Sequence, residues 1–85
     1  MHASMSLDKA VGQIAAQEYF NYAEKFPDDS LTPGYLFKGG DVATAIEDYA
    51  IALRAYEKIT ASYPKFQYAR ESLYLQGFLL DNYLN

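Results

Sequence analysis

An all-α fold is what this sequence predicts, about four helices laid down as antiparallel hairpins in a single domain. Three observations carry that expectation. The helix ending "EYFNYAEKFP" at residues 18–27 is written again as "AYEKITASYP" at residues 55–64, 37 residues later. Apolar and aromatic residues recur at three- and four-residue spacing, the helical period, through most of the chain. Pro27 and Pro64 each fall just past the end of such a run, where a helix stops.

At a shift of 37 residues, Ala15 pairs with Ala52, Tyr19 with Tyr56, Pro27 with Pro64, Leu36 with Leu73 and Gly40 with Gly77. Phe26 meets Tyr63, and Phe37 meets Tyr74. Small, aromatic and proline positions are the ones a repeated helix pair must keep, because they set close packing and helix ends.

The elements follow in order. Residues 1–6 read as a flexible tail that holds the sole histidine, His2, and "MHASMSL" has neither the basic start nor the apolar middle of a signal peptide. A first helix over 7–26 sets Leu7, Val11, Ile14, Ala15, Tyr19, Tyr22 and Phe26 along one face. "PDDSLT" is a loop in which Asp28 and Asp29 serve turn and capping chemistry in preference to a cation site. Thr32 is the expected N-cap of the second helix, with Pro33 at its first position, where a missing N–H costs nothing.

The second helix covers 33–46 and the third 49–62, so that 33–64 forms a complete helical pair; the fourth begins at 66–68 and runs to 85. Gly39 and Gly40 mark close helix packing, because they lack the strand and spacing of a phosphate loop. Gly40 and Gly77 are both expected to face neighbouring helix backbones. The period places a turn at Glu47–Asp48, although neither Gly nor Pro marks it. The alternative is one unbroken helix through "DVATAIEDYAIALRAYEKI", which would open the hairpin and favour a domain-swapped dimer.

Composition narrows the function. The chain has 85 residues, 51% of them hydrophobic and 16% aromatic, and nine of its fourteen aromatics are Tyr. Tyrosine joins an apolar body to a polar tip and suits half-buried helix surfaces and binding faces. A net charge of −4 with scattered Lys and Arg argues against nucleic acid. With no cysteine there are no disulfides or thiolate metal sites, and no apolar run has the length of a membrane span. Ser and Thr have no base placed to activate them, and Glu47 and Asp48 point apart on a helix. The sequence therefore predicts no catalytic, cofactor-binding or metal site.

From Tyr35 to Pro64 the chain resembles a tetratricopeptide repeat. Ala52 takes the family's small residue, Tyr56 its aromatic, Ile59 its third packing position and Pro64 its closing proline. Leu36 stands where Trp is usual, Gly40 at the close-packing glycine and Tyr49 at the aromatic after the turn; Ala43 and Gly39 depart from the usual Tyr and Leu. Residues 15–27 match the second helix of a preceding repeat and 66–84 the first helix of a following one. The long period is similar to the longer-looped repeats of bacterial cell-envelope scaffolds, the periplasmic Tol–Pal coordinator and outer-membrane-assembly lipoproteins. The resemblance implies a right-handed solenoid and a non-enzymatic scaffold that binds a protein or peptide, with a place in the cell envelope.

In such solenoids the first helix of each pair lines a concave groove. Carried over by position, the groove residues are Phe37, Asp41 and Thr44 from the second helix and Tyr74, Phe78 and Asp81 from the fourth. Aromatic pairs beside carboxylates suit an extended peptide with apolar and basic residues; the competing reading makes Phe37, Tyr74 and Phe78 core. A carboxylate clamp for chaperone C-termini is excluded, because it needs Lys and Asn where Phe37 and Asp41 stand. On the fourth helix Ala69, Leu73, Leu80 and Leu84 form one apolar stripe and Tyr68, Leu75, Leu79 and Tyr83 a second. One stripe can pack inward. The other, taken as Tyr68, Leu75, Leu79 and Tyr83, is expected to build a homodimer, and a structural self-associating domain is the alternative function.

Overall fold

The computed structural model describes the backbone of residues 2–84 and the side chains of residues 9–84. Its elements are α1 (His2–Lys25), α2 (Thr32–Ala45), α3 (Tyr49–Ser62) and α4 (Ala69–Leu79), the last continued by a π-helical turn over Leu80–Leu84. There is no strand among the described residues. Each helix packs on the next in sequence. The connections are at most six residues long, which makes sequence neighbours antiparallel. The Cα envelope measures 41 × 29 × 16 Å. Helical structure extends through residues 2–6, which the sequence assigns to a tail; the side chains of His2 and Leu7 lie outside the described residues.

The 37-residue repeat is present in the backbone. In the first long turn Phe26 N–H donates to the Tyr22 carbonyl, Asp29 to Phe26, Thr32 to Asp29 and Tyr35 to Leu31. In the second, Tyr63 donates to Ile59, Phe66 to Tyr63, Ala69 to Phe66 and Ser72 to Tyr68. All four bonds of one turn are the bonds of the other, shifted by 37. Thr32 is the first residue of α2 and not its N-cap: Leu31 holds that place without a side-chain cap bond, and Pro33 lies within the first turn. The Thr32 hydroxyl instead donates back to the Phe26 carbonyl at the end of α1.

The short turn between α2 and α3 is closed, so the unbroken-helix alternative is not the form adopted. Glu47 has φ of 64°. Its N–H donates to the Thr44 carbonyl (3.0 Å) and that of Asp48 to the Ala43 carbonyl (2.8 Å). This is a Schellman ending with the left-handed residue at Glu47. Glycine is usual at that position because a Cβ there costs about 1–2 kcal/mol. The absence of glycine is why the sequence offers no turn signal.

Small residues set the core. Among the described residues, six of the ten buried apolar side chains are alanines, and Leu36, Tyr56, Ile59 and Leu79 are the large ones. Helices can then approach closely, and aromatic rings lie where glycines leave room. A Cβ on Gly39 would fall 2.6 Å from the Phe20 ring of α1, and one on Gly40 2.7 Å from the Tyr56 ring of α3. Gly40 therefore meets a ring and not a helix backbone. Gly77 contradicts its expectation outright: it is exposed, and nothing lies within 4 Å of its would-be Cβ. The helix that would stand to α4 as α3 stands to α2 is not among the described residues.

Tyr56 ties three helices together. Its ring rests on Gly40, its hydroxyl donates to Asp41 Oδ1 (2.7 Å), and its carbonyl accepts from Gln76 Nε2 of α4 (3.1 Å). Burial first, and then the bond to Asp41, push its ionisation well above the ordinary tyrosine value.

On α1 the packed face is turned from the one the sequence identifies, and among the described residues the two share Ala15, Tyr19 and Tyr22, all half-buried. Ala16 and Ala23 are buried, with Gly12 against Ile46 and Phe20 against Gly39. Val11, Ile14 and Phe26 are exposed. The aromatics Tyr19 and Tyr22 lean on Tyr35 at 5.6 and 4.8 Å between ring centroids.

Candidate interaction surfaces

The middle helix α2 is covered on two sides, and the residues on each side are distinct. Toward α1 it presents Thr32, Tyr35 and Gly39, which meet the Phe26 carbonyl, the Tyr19 and Tyr22 rings and the Phe20 ring. Toward α3 it presents Gly40, seated under Tyr56, and Leu36 and Ala43 lie in the core cluster with Ala52, Tyr56 and Ile59.

Shifted by 37, the first set becomes Ala69, Ser72 and Gln76 on α4. Ala69 and Ser72 are buried, and Gln76 Nε2 donates to Thr60 Oγ1 (3.0 Å) and to the Tyr56 carbonyl. The second set becomes Leu73, Gly77 and Leu80, and these are bare. Leu36 is 4% exposed, whereas Leu73 is 62% exposed. Ala43 is fully buried, whereas Leu80 is 45% exposed.

The six groove residues named from the sequence divide. Phe37 is half-buried and packed, with its ring stacked on Tyr68 at 5.1 Å and beside Tyr56 and Phe66 at 5.7 and 6.2 Å. It belongs to the core margin, as the competing reading has it. Asp41 is exposed but holds the Tyr56 hydroxyl, and Thr44 turns its hydroxyl back to the Gly40 carbonyl (2.9 Å). Tyr74 and Phe78 are exposed neighbours on α4, 6.4 Å apart, and Asp81 is exposed beyond them.

The four self-association residues divide: Leu79 and Leu75 are covered, whereas Tyr68 and Tyr83 stay exposed while each stacks on a ring of its own chain. Leu79 is buried within the chain, and Leu75 is half-buried against the core. Tyr68 stacks on Phe37, and Tyr83 stacks on Tyr49 of α3 at 3.9 Å with the rings nearly parallel. The π-helical turn thus folds back on the start of α3. Burial, with the neighbouring Tyr83 and Glu47, raises the Tyr49 ionisation. Exposed with Tyr68 and Tyr83 are Leu73, Leu80 and Leu84, with Tyr74 and Phe78 beside these.

One surface was not foreseen. A cleft of about 610 Å³ runs between α1 and α3, with Phe20, Leu36 and Ala55 among its lining and Glu24, Arg54 and Lys58 at its edge. Its signal in the sequence is the small Ala23 on α1, which the larger Val11 and Ile14 outweigh in a hydrophobic projection.

A polar network also holds the first long turn. Asp29 accepts from the Tyr22 hydroxyl (2.6 Å) through Oδ2 and from Leu31 N–H (2.8 Å) through Oδ1. The Tyr22 bond, then the Leu31 bond, hold Asp29 below the usual carboxylate range. The same bond, ahead of burial, pushes Tyr22 up to about 12. Asp29 is thus a turn brace, as its place in "PDDSLT" implies.

Among the described residues no group of three or more His, Cys, Asp or Glu stands ready for a metal ion, and no helix is long and apolar enough to cross a membrane. Compared with protein-family models, with curated proteins and with solved structures, the chain has no match in any of the three.

Proposed function

We propose that this chain is a non-enzymatic protein-interaction module of tetratricopeptide type, which binds a partner protein or peptide through the outer face of α4. The observation that carries the reading is the exposed pair Tyr74 and Phe78, continuous with Leu73, Leu80 and Leu84 on the same helix. A face with this many uncovered large apolar groups is the mark of a contact site in a water-soluble fold. Support also comes from the duplicated backbone turns, whose four hydrogen bonds recur at a shift of 37 residues, as a helical repeat would require. Asp81 at the edge of the pair favours a basic residue in the ligand. Peptides selected from a random display library on the immobilised chain test it. Winners should be apolar with a basic residue, and Phe78→Glu should abolish their saturable binding without altering the helical circular dichroism. Selected peptides that ignore Phe78→Glu and Tyr74→Glu would overturn the assignment.

A further inference from the structure

An uncovered face on α4 and a half-buried face on α1, whose Tyr19 and Tyr22 rest in part on Tyr35, lie at opposite ends of the helix order, and the molecule already contains the joint that would pair them. We infer that the α4 face receives α1 of a second copy of this chain, head to tail, in the way that α2 receives α3. The inference rests on reading the chain as a helical-repeat interaction module, and it names one partner for it.

The argument is the 37-residue shift. Within the chain, Leu36, Gly40 and Ala43 of α2 are covered by the α3 side that carries Ala52, Tyr56 and Ile59. The equivalents of the α2 residues are Leu73, Gly77 and Leu80, which are uncovered. The equivalents of the α3 residues are Ala15, Tyr19 and Tyr22 of α1, which are half-buried, with Ile14 and Phe26 exposed beside them. One end therefore has the socket and the other end the helix that fits it. Gly77 is the sharpest sign: it is an open glycine on an exposed helix surface, where Ala would suit the helix better. Its equivalent Gly40 holds the ring of Tyr56, and Tyr19 of a second copy is the residue that the shift brings to Gly77.

Such an interface is heterologous: the patch on one copy differs from the patch on its neighbour, and each copy retains a free end. It differs from a two-fold pairing of α4 with α4, which would bury the same leucines against themselves. One position fits poorly. Glu18 stands where α3 has the buried Ala55, so its carboxylate is brought against the next copy.

Sedimentation equilibrium of the full chain, with one variant for each face, decides the matter. The wild-type average mass should rise with concentration past that of a dimer. Ile14→Glu and Leu80→Glu, both at exposed positions, should each weaken self-association roughly tenfold or more. Mixed in equal amounts, the two should form a complex that stops at two chains, because each retains the face its partner lacks. Glu18→Ala should tighten association. Leu73→Glu provides a second α4 variant if Leu80→Glu loses its helical spectrum. A dimer that survives Ile14→Glu and gains nothing on mixing would overturn the head-to-tail joint in favour of α4 on α4. A wild-type chain that is monomeric at all concentrations would overturn both joints, while binding of selected peptides lost in Phe78→Glu would leave the proposed function standing.

Discussion

Between α1 and α2 the chain folds around a carboxylate, and between α3 and α4 it folds the same backbone around an aromatic ring. Asp29 and Phe66 are equivalent under the 37-residue shift, and each N–H makes the same bond to the carbonyl three residues before it. Asp29 draws in the Tyr22 hydroxyl and Leu31 N–H. Phe66 instead packs edge-on to Tyr68, 5.5 Å away, and beside Phe37. The Tyr63 hydroxyl then joins the turns by donating to the Pro27 carbonyl (2.7 Å). What repeats is the path of the chain and its proline stop. The side chains that hold it are free to differ, because either hydrogen bonds or ring contacts can fill the inside of the turn.

The largest expected effect breaks the aromatic version. Phe66→Ala removes a half-buried ring from the cluster with Phe37 and Tyr68, and should cost about 2–3 kcal/mol, somewhat below the range for a fully buried Phe. Urea unfolding followed by circular dichroism measures it. Asp29→Ala should cost clearly less, because water can replace the lost acceptors at an exposed turn. If Asp29→Ala proves as damaging as Phe66→Ala, the carboxylate does more than brace its own turn.

The second contrast sets Gly40 against Gly77. Gly40→Ala drives a methyl into the buried Tyr56 ring, an overpacking worth about 1–3 kcal/mol that outweighs the helix-propensity gain. Gly77→Ala meets nothing and should stabilise one chain by about 0.5–1 kcal/mol. Opposite signs at equivalent glycines are the expected thermal-unfolding result. Under head-to-tail stacking Gly77→Ala should also weaken association, so that a stabler chain becomes a poorer partner.

Acid and base should separate the two turns. Asp29 is depressed in the folded chain, so its contribution is present above the ordinary carboxylate value and is lost as pH falls through the lower folded value. The protection of the Leu31 amide against exchange, relative to a free peptide at the same pH, should then fall, with no such change at the Phe66 turn. Tyr22, Tyr49, Tyr56 and Tyr63 are all raised, so their contribution is present below about pH 10 and is lost as pH rises through the folded values. A tyrosinate absorbance titration should show these four ionising late, Tyr22 near 12. Early and uniform ionisation would mean that these hydroxyls are not held.

Much of the fold was legible because it rests on period and punctuation. The third helix begins and ends where the sequence places it, and Pro27 and Pro64 lie outside helices. The packed face of α1 was legible only in part. Large side chains dominate a hydrophobic projection, yet this core is lined by Gly12, Ala16 and Ala23, where small size lets the helices approach. The fourth helix misled differently. Both of its stripes are apolar, and only the Gln76 bonds to α3 and the stacking of Tyr83 on Tyr49 show which one turns inward. The exposure of Tyr74 and Phe78 follows from position in the repeat. The packing of Phe37 does not, because Tyr68, its stacking partner, lies in the loop before α4.

The smallest effect concerns two aspartates that the sequence treats alike. Both Asp41 and Asp81 read as groove carboxylates whose removal should leave stability nearly unchanged. Only Asp81 retains that expectation: it is exposed, and Asp81→Ala should stay within about 0.5 kcal/mol. Asp41 accepts from the hydroxyl of Tyr56, whose ring is buried among three helices, so Asp41→Ala strands a donor that water reaches poorly. A loss of about 1 kcal/mol is expected. The double-mutant cycle with Tyr56→Phe isolates the bond, because removing both partners should cost little more than removing one. Additive losses in that cycle would mean that the hydroxyl finds another acceptor. Asp41 would then return to the surface as a carboxylate open to a ligand, and α2 and α4 would be more alike than their contacts make them.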